Sequence, residues 1–82
     1  MKNTIAAAGN TLAPAILALE GSGFEVYVED GTRCRVTRGD ETYLADDPVT
    51  ALGLVKLIEL RGWNWRVTDE QIKGILSRHG LA

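Results

Sequence analysis

Apolar and polar residues alternate from Phe24 to Glu29 (Phe24, Val26 and Val28 against Glu25, Tyr27 and Glu29) and again from Arg33 to Thr37 around Cys34 and Val36. A period of two marks half-buried strands, and the glycine-bearing breaks that follow mark the turns between them. A two-residue turn at Asp30-Gly31 would pair Val28 with Arg33 and mix the faces. A three-residue loop, Asp30-Gly31-Thr32, instead pairs Val28 with Cys34, Val26 with Val36 and Tyr27 with Arg35. A one-residue slip turns every side chain over, so the three-residue loop is the expected one. The same reasoning applied to Arg38-Gly39-Asp40 leads into a third strand, Glu41 to Ala45, with Leu44 directed inward and Tyr43 outward.

Helical signals flank this meander. Residues 4–20 are rich in Ala, Ile and Leu, and Gly21 and Gly23 end the run. Pro14 fits the first turn of a helix capped by Asn10 or Thr11, since its missing N–H costs nothing there. The main helix is therefore expected over about 12–20, after a looser or frayed segment in 1–10. Asp47-Pro48 is an N-cap followed by a proline at the first helical position, and it opens a helix to about Arg61, ended by Gly62. That helix is apolar round most of its circumference, with only Thr50, Lys56, Glu59 and Arg61 polar. It is expected to be sandwiched between other elements or to form a dimer seam. Thr68 and Gln71 have capping-box spacing, with Val67 and Ile72 as the flanking staple. Asp69 and Glu70 suit the positive end of this last helix, and Arg78 and His79 its negative end. Ile72, Ile75 and Leu76 form a narrow apolar stripe, and Gly80 closes the helix. Gly53 and Gly74, inside helices, are read as places where helices approach closely. The predicted fold is α+β, in the order α-β-β-β-α-α: a three-stranded antiparallel meander with helices packed on one face, in a single domain over 1–82.

The 82 residues, 45% of them hydrophobic and 24% charged, make a small globular domain with a modest core. One cysteine, Cys34, and one histidine, His79, leave too few ligands for a zinc site and exclude an intrachain disulfide. No metal or other cofactor is expected, and a cytoplasmic location is the simplest reading. Lys2 and the alanines after it resemble a leader peptide only loosely, because Asn3, Thr4, Gly9, Asn10, Thr11 and Pro14 interrupt the apolar run. No stretch reaches the length of a membrane span.

Candidate chemistry is sparse. Asp47 is accounted for by capping and Asp46 by the turn before it; Cys34 reads as a small buried hydrophobe; His79 has no triad partner in a recognisable motif. There is no glycine-rich phosphate loop. An enzyme is thus the least supported class. The net charge is −2, with four basic against eight acidic residues in 1–47 and five against three in 48–82. That basic excess is too small and scattered for a nucleic-acid footprint. The last helix also carries acids at the end a recognition helix would present to bases.

The candidate partner-binding residues are Tyr27, Arg33, Arg35 and Tyr43 on the outer sheet face, with Arg35 expected between the two tyrosines, and Trp63, Trp65 and Arg66 in the connector between the last two helices. Tyr, Trp and Arg are the residues most often found at binding hot spots. The first expectation is a small non-enzymatic protein-binding module, of an inhibitor or immunity type that occludes its protein partner. A homodimeric structural or regulatory protein, with its seam on helix 48–61, and a nucleic-acid-binding regulator are the alternatives. The segments Asp46-Asp47-Pro48, Leu52-Gly53-Leu54, Arg61-Gly62, Trp65 and Thr68-Asp69-Glu70 together resemble the C-terminal half of small, uncharacterised bacterial proteins. The resemblance covers about half the chain. It implies a bacterial or mobile-element origin and assigns neither an activity nor a site residue.

Overall fold

A computed structural model describes residues 2–81. Residues 2–8 carry no helix or strand, and a single 3-10 turn at Gly9–Thr11 leads into α1 (Leu12–Gly21). Thr11 stands at the N-cap but does not cap with its side chain; its hydroxyl donates to the Ala8 carbonyl at 2.6 Å. Pro14 falls in the first turn, where no helical donor is missed. At the other end Gly23, at φ 90, donates to Glu20 O, and Phe24 N–H donates to Leu19 O, each at 3.0 Å. These are the two bonds of a Schellman motif, and the reversal delivers Phe24 into the core beside Leu19.

The meander consists of β1 (Glu25–Val28), β2 (Cys34–Arg38) and β3 (Glu41–Ala45), in sheet order β1-β2-β3 and antiparallel throughout. Between β1 and β2 the register is the expected one: Val26 faces Val36, Val28 faces Cys34, and Tyr27 faces Arg35. The loop Asp30-Gly31-Thr32 is closed by Glu29 N–H donating to Arg33 O at 2.6 Å.

Between β2 and β3 the structure corrects the expectation by one residue. Arg38 pairs with Glu41, so the turn is Gly39-Asp40 alone. Gly39 sits at φ 56 in the first central position, where a two-residue type II′ turn takes glycine. Val36 consequently faces Tyr43, and Arg35 faces Leu44. Every side chain of β3 is turned over: Tyr43 is inward at 5% exposure, and Leu44 is outward at 68%.

One face of the sheet is covered by α1 and by α2 (Pro48–Arg61), which also pack on each other. Leu19, Phe24, Cys34, Val36, Tyr43, Ala51 and Val55 form the core, with Val26, Ala45, Leu52, Leu54 and Ile58 packed against it. The apolar girth of α2 is thus largely taken up by the sandwich. Its start is as predicted: an Asp47 carboxylate oxygen accepts from Thr50 N–H at 2.8 Å, the other accepts from the Thr50 hydroxyl at 2.9 Å, and Pro48 is fully buried. Thr32 ties the first hairpin loop to this corner by donating its hydroxyl to Asp46 O at 2.8 Å.

The last helix, α3 (Asp69–Arg78), has the predicted capping box: Thr68 Oγ1 accepts from Gln71 N–H and Gln71 Oε1 accepts from Thr68 N–H. It ends in a second Schellman pair, Gly80 N–H to Ser77 O and Leu81 N–H to Leu76 O. It contributes no buried residue. The close-approach reading of Gly53 and Gly74 is corrected too, since a Cβ at either position would meet nothing within 4 Å.

Two predictions follow from these corrections. Tyr43→Ala should lower unfolding stability by about 3 kcal/mol or more, as for a large core aromatic, whereas Leu44→Ala should stay within about 0.5 kcal/mol, as for an exposed position. Urea denaturation of both variants checks the register, and the opposite order would contradict it. Gly53→Ala and Gly74→Ala should each stabilise by about 0.5–1 kcal/mol, through helix propensity and a less disordered unfolded chain; a thermal-melt series of the single and double variants measures this.

Candidate functional site

The corrected register builds a connected set of side chains at the β3 end of the core. Phe24 and Tyr43 meet edge to face, with ring centroids 5.7 Å apart and planes at 73°. Trp63 stacks on Tyr43 at 5.7 Å and 29°. Both are favourable aromatic geometries, worth about 0.5–1.5 kcal/mol beyond area burial. Trp63 stays 58% exposed, so the indole is held by the core without being enclosed by it.

Arg38 grips the other end of this row. Its guanidinium carbon lies 4.1 Å from the Phe24 ring centroid, Nη1 donates to Ser22 O at 2.8 Å, and Nε donates to Glu41 Oε2 at 3.0 Å. The Ser22 carbonyl belongs to the C-cap of α1, where a cation meets the negative end of the helix. Glu41 also accepts from the Tyr43 hydroxyl at 2.7 Å. Hydrogen bonds from Arg38 and then from Tyr43 hold the Glu41 carboxyl below its ordinary range. Burial, reinforced by donation to the Glu41 carboxylate, pushes the Tyr43 phenol up to about 12.

The connector carries a second pair. The Arg66 guanidinium lies 4.5 Å from the Trp65 ring centroid, and Arg61 Nε donates to Trp65 O at 3.1 Å. Trp65 is half-buried and Arg66 exposed. The Arg61 bond spans the end of α2 and fixes the course of the connector. Each indole therefore has a named partner, the Tyr43 ring for Trp63 and the Arg66 guanidinium for Trp65.

On the opposite sheet face, Arg35 lies over the Tyr27 ring at 4.6 Å, and the Tyr27 hydroxyl donates to Glu25. Leu44, the cross-strand neighbour of Arg35, takes the place expected for Tyr43. The seven candidate residues thus fall into two groups. Tyr27, Arg33 and Arg35 belong to the outer face, with Arg33 exposed just before β2; Tyr43, Trp63, Trp65 and Arg66 belong to the aromatic end and the connector. Tyr43 serves as the floor under Trp63 and is not itself a contact surface.

Arg38 and Glu41 were not singled out from the sequence. The signal was present in Arg38-Gly39-Asp40-Glu41, where a two-residue turn sets the charges opposite each other, but seeing it requires the turn length first. Among the described residues no three His, Cys, Asp or Glu side chains are grouped so as to hold a metal ion. Cys34 is buried, and burial followed by the nearby Asp47 charge raises its thiol pKa, which leaves little thiolate for chemistry. No helix among the described residues is long and apolar enough to cross a membrane. The chain matches no protein-family model, no curated protein and no solved structure.

The raised Tyr43 pKa has a signed consequence. Below pH 10 the phenol is neutral in both folded and unfolded chains. Between pH 10 and about 12 it ionises in the unfolded chain alone, so its contribution to stability is lost as the pH rises through that window. A shift of this size amounts to about 2–3 kcal/mol at its limit. Urea midpoints at pH 8, 10 and 11.5 should fall more steeply for the wild type than for Tyr43→Phe, which has no phenol to ionise; parallel curves would refute the assignment.

Proposed function

We propose that this chain is a small non-enzymatic protein-binding module of the inhibitor or immunity type, acting by occluding a protein partner with its aromatic end. The observation that carries the reading is Trp63: an exposed indole stacked on a buried tyrosine, which is itself fixed by Phe24 and Glu41. Ordering a large side chain on binding costs conformational entropy, and an indole already held in place has lost much of that freedom beforehand. Trp and Arg are the residues that most often anchor such contacts.

The basic residues of the connector favour an acidic partner surface. Arg66 covers the Trp65 ring, Arg61 holds the Trp65 carbonyl, and residues 48–82 carry the basic excess of the chain. The complementary surface is an apolar pocket with an acidic rim, because opposed potentials steer encounter and disfavour wrong partners. The outer sheet face, with Tyr27, Arg35 and the exposed Leu44, is the second surface able to serve.

Affinity capture from the source organism with the tagged chain tests this. A stoichiometric protein partner is expected with the wild type and with Arg35→Ala, and it should be lost with Trp63→Ala and Trp65→Ala at a temperature where circular dichroism shows both variants still folded. Loss with Arg35→Ala alone would move the site to the outer sheet face. Recovery of no protein by the wild type would count against the reading as a whole.

A further inference from the structure

β1 is an outer strand of the sheet, and the backbone groups it leaves free can be named. Glu29 N–H donates to Arg33 O, so these two residues form a hydrogen-bonded pair of the antiparallel ladder. Such pairs alternate with unbonded ones, so Tyr27 and Glu25 also bond to β2, at Arg35 and Thr37. Val26 and Val28 occupy the intervening positions, and their N–H and C=O groups point away from β2. Among the described residues no strand pairs with β1 on that side, and no loop backbone bonds to either valine. Val28 shows the consequence: it faces inward with Cys34, yet it is 49% exposed.

A row of free donors and acceptors at strand spacing is satisfied by another extended chain. The side chains beside the row define which one. Glu25 and Glu29 stand on the outer face on either side of Tyr27, and neither carboxylate forms an ion pair among the described residues. Arg33 and Arg35 lie one strand further in, with Arg35 drawn over the Tyr27 ring, so an incoming strand meets the carboxylates first. A second copy fits poorly. The antiparallel register that uses both valines sets Glu25 of each copy against Glu29 of the other, and like charges directly opposite are unfavourable. At the other edge, β3, the inward Tyr43 ring is already covered by Trp63 and the Glu41 carboxylate is held by Arg38.

We infer that the β1 edge is a strand-addition site for an extended basic segment of a partner protein, which pairs antiparallel with β1 as a fourth strand. The two segment residues opposite Val26 and Val28 exchange backbone hydrogen bonds with them and turn apolar side chains to the inner face. The two opposite Glu25 and Glu29 are Lys or Arg. The segment thus reads basic, apolar, any, apolar, basic. This edge is separate from the indole of Trp63, and the inference does not rest on the binding reading above.

Amide NMR of the full chain tests it with the end-blocked peptide Thr-Lys-Val-Thr-Val-Lys-Thr, titrated to about 5 mM because so short an interface is weak. Saturable shifts should centre on the Val26 and Val28 amides, with slowed hydrogen exchange at both. Replacing the two lysines of the peptide by glutamates should weaken binding at least about threefold, the size expected of two cross-strand charge pairs. N-methylation of both peptide valines should abolish binding, whereas N-methylation of the central threonine, whose N–H points away from β1, should be tolerated. E25K/E29K, shown to be folded by circular dichroism, should prefer the glutamate peptide. Absence of saturable shifts at β1 overturns the inference, as do equal binding of the lysine and glutamate peptides, indifference to valine methylation, or shifts centred on Thr42 and Leu44. β1 amides that shift with protein concentration alone would make a second copy the occupant and overturn it equally. Trp63→Ala should leave peptide binding unchanged, which separates failure here from failure of the partner-binding reading.

Discussion

The return from β2 to β3 takes two residues, and that count decides which side of β3 enters the core. With Gly39 at φ 56 in a two-residue turn, Arg38 and Glu41 become cross-strand partners and Tyr43 lies beside Val36. One more residue in the turn would place Leu44 on the core and Tyr43 in solvent. The rest of the aromatic end follows from this choice. Phe24 has a ring to meet, Trp63 has a surface to stack on, and the Tyr43 hydroxyl reaches a carboxylate that Arg38 already holds.

Arg38 links that turn to the other end of the fold. It touches the C-cap of α1 through Ser22, the start of β3 through Glu41, and the Phe24 ring between them. A lone half-buried ion pair would add little, since desolvation offsets much of its attraction. Here the guanidinium also satisfies a helix-terminal carbonyl and covers an aromatic face, so the charge is compensated on three sides. The Schellman turn at Gly23 makes the contact geometrically available by setting Phe24 and the Ser22 carbonyl side by side.

What the sequence reveals depends on whether two independent constraints meet at a position. For β1 and β2 they do: strict alternation on both strands leaves a single loop length that keeps Val26, Val28, Cys34 and Val36 together. The starts of α2 and α3 are legible because their caps are local chemistry. On β3 only one constraint operates, since Tyr43 and Leu44 are adjacent and both large and apolar. Side-chain preference alone points Leu44 inward. The tie is broken by the turn geometry and by the pairing of Arg38 with Glu41, neither of which a hydrophobic pattern records. The same limit hides the partner of Trp63, because the hydrophobic pattern directs Tyr43 to the outer face while the turn brings it inward. The two internal glycines show the reverse error, a packing reason supplied where the structure has only open space.

α3 shows how local and tertiary information come apart. Its termini carry the clearest signals in the chain, yet it adds nothing to the core. Isolated helices of ten residues are marginal in water, because nucleation is costly and few residues share it. Good caps offset part of that cost, at about 1 kcal/mol for an N-cap, and the box at Thr68 and the Schellman pair past Ser77 supply one at each end. Caps decide where a helix begins and ends, but they do not bury Ile72 and Ile75. A helix held by its own ends, with Ile72 and Ile75 turned to water, has its boundaries specified separately from its packing. The boundaries are written in Thr68, Gln71 and Gly80, and the core closes without using the apolar stripe between them.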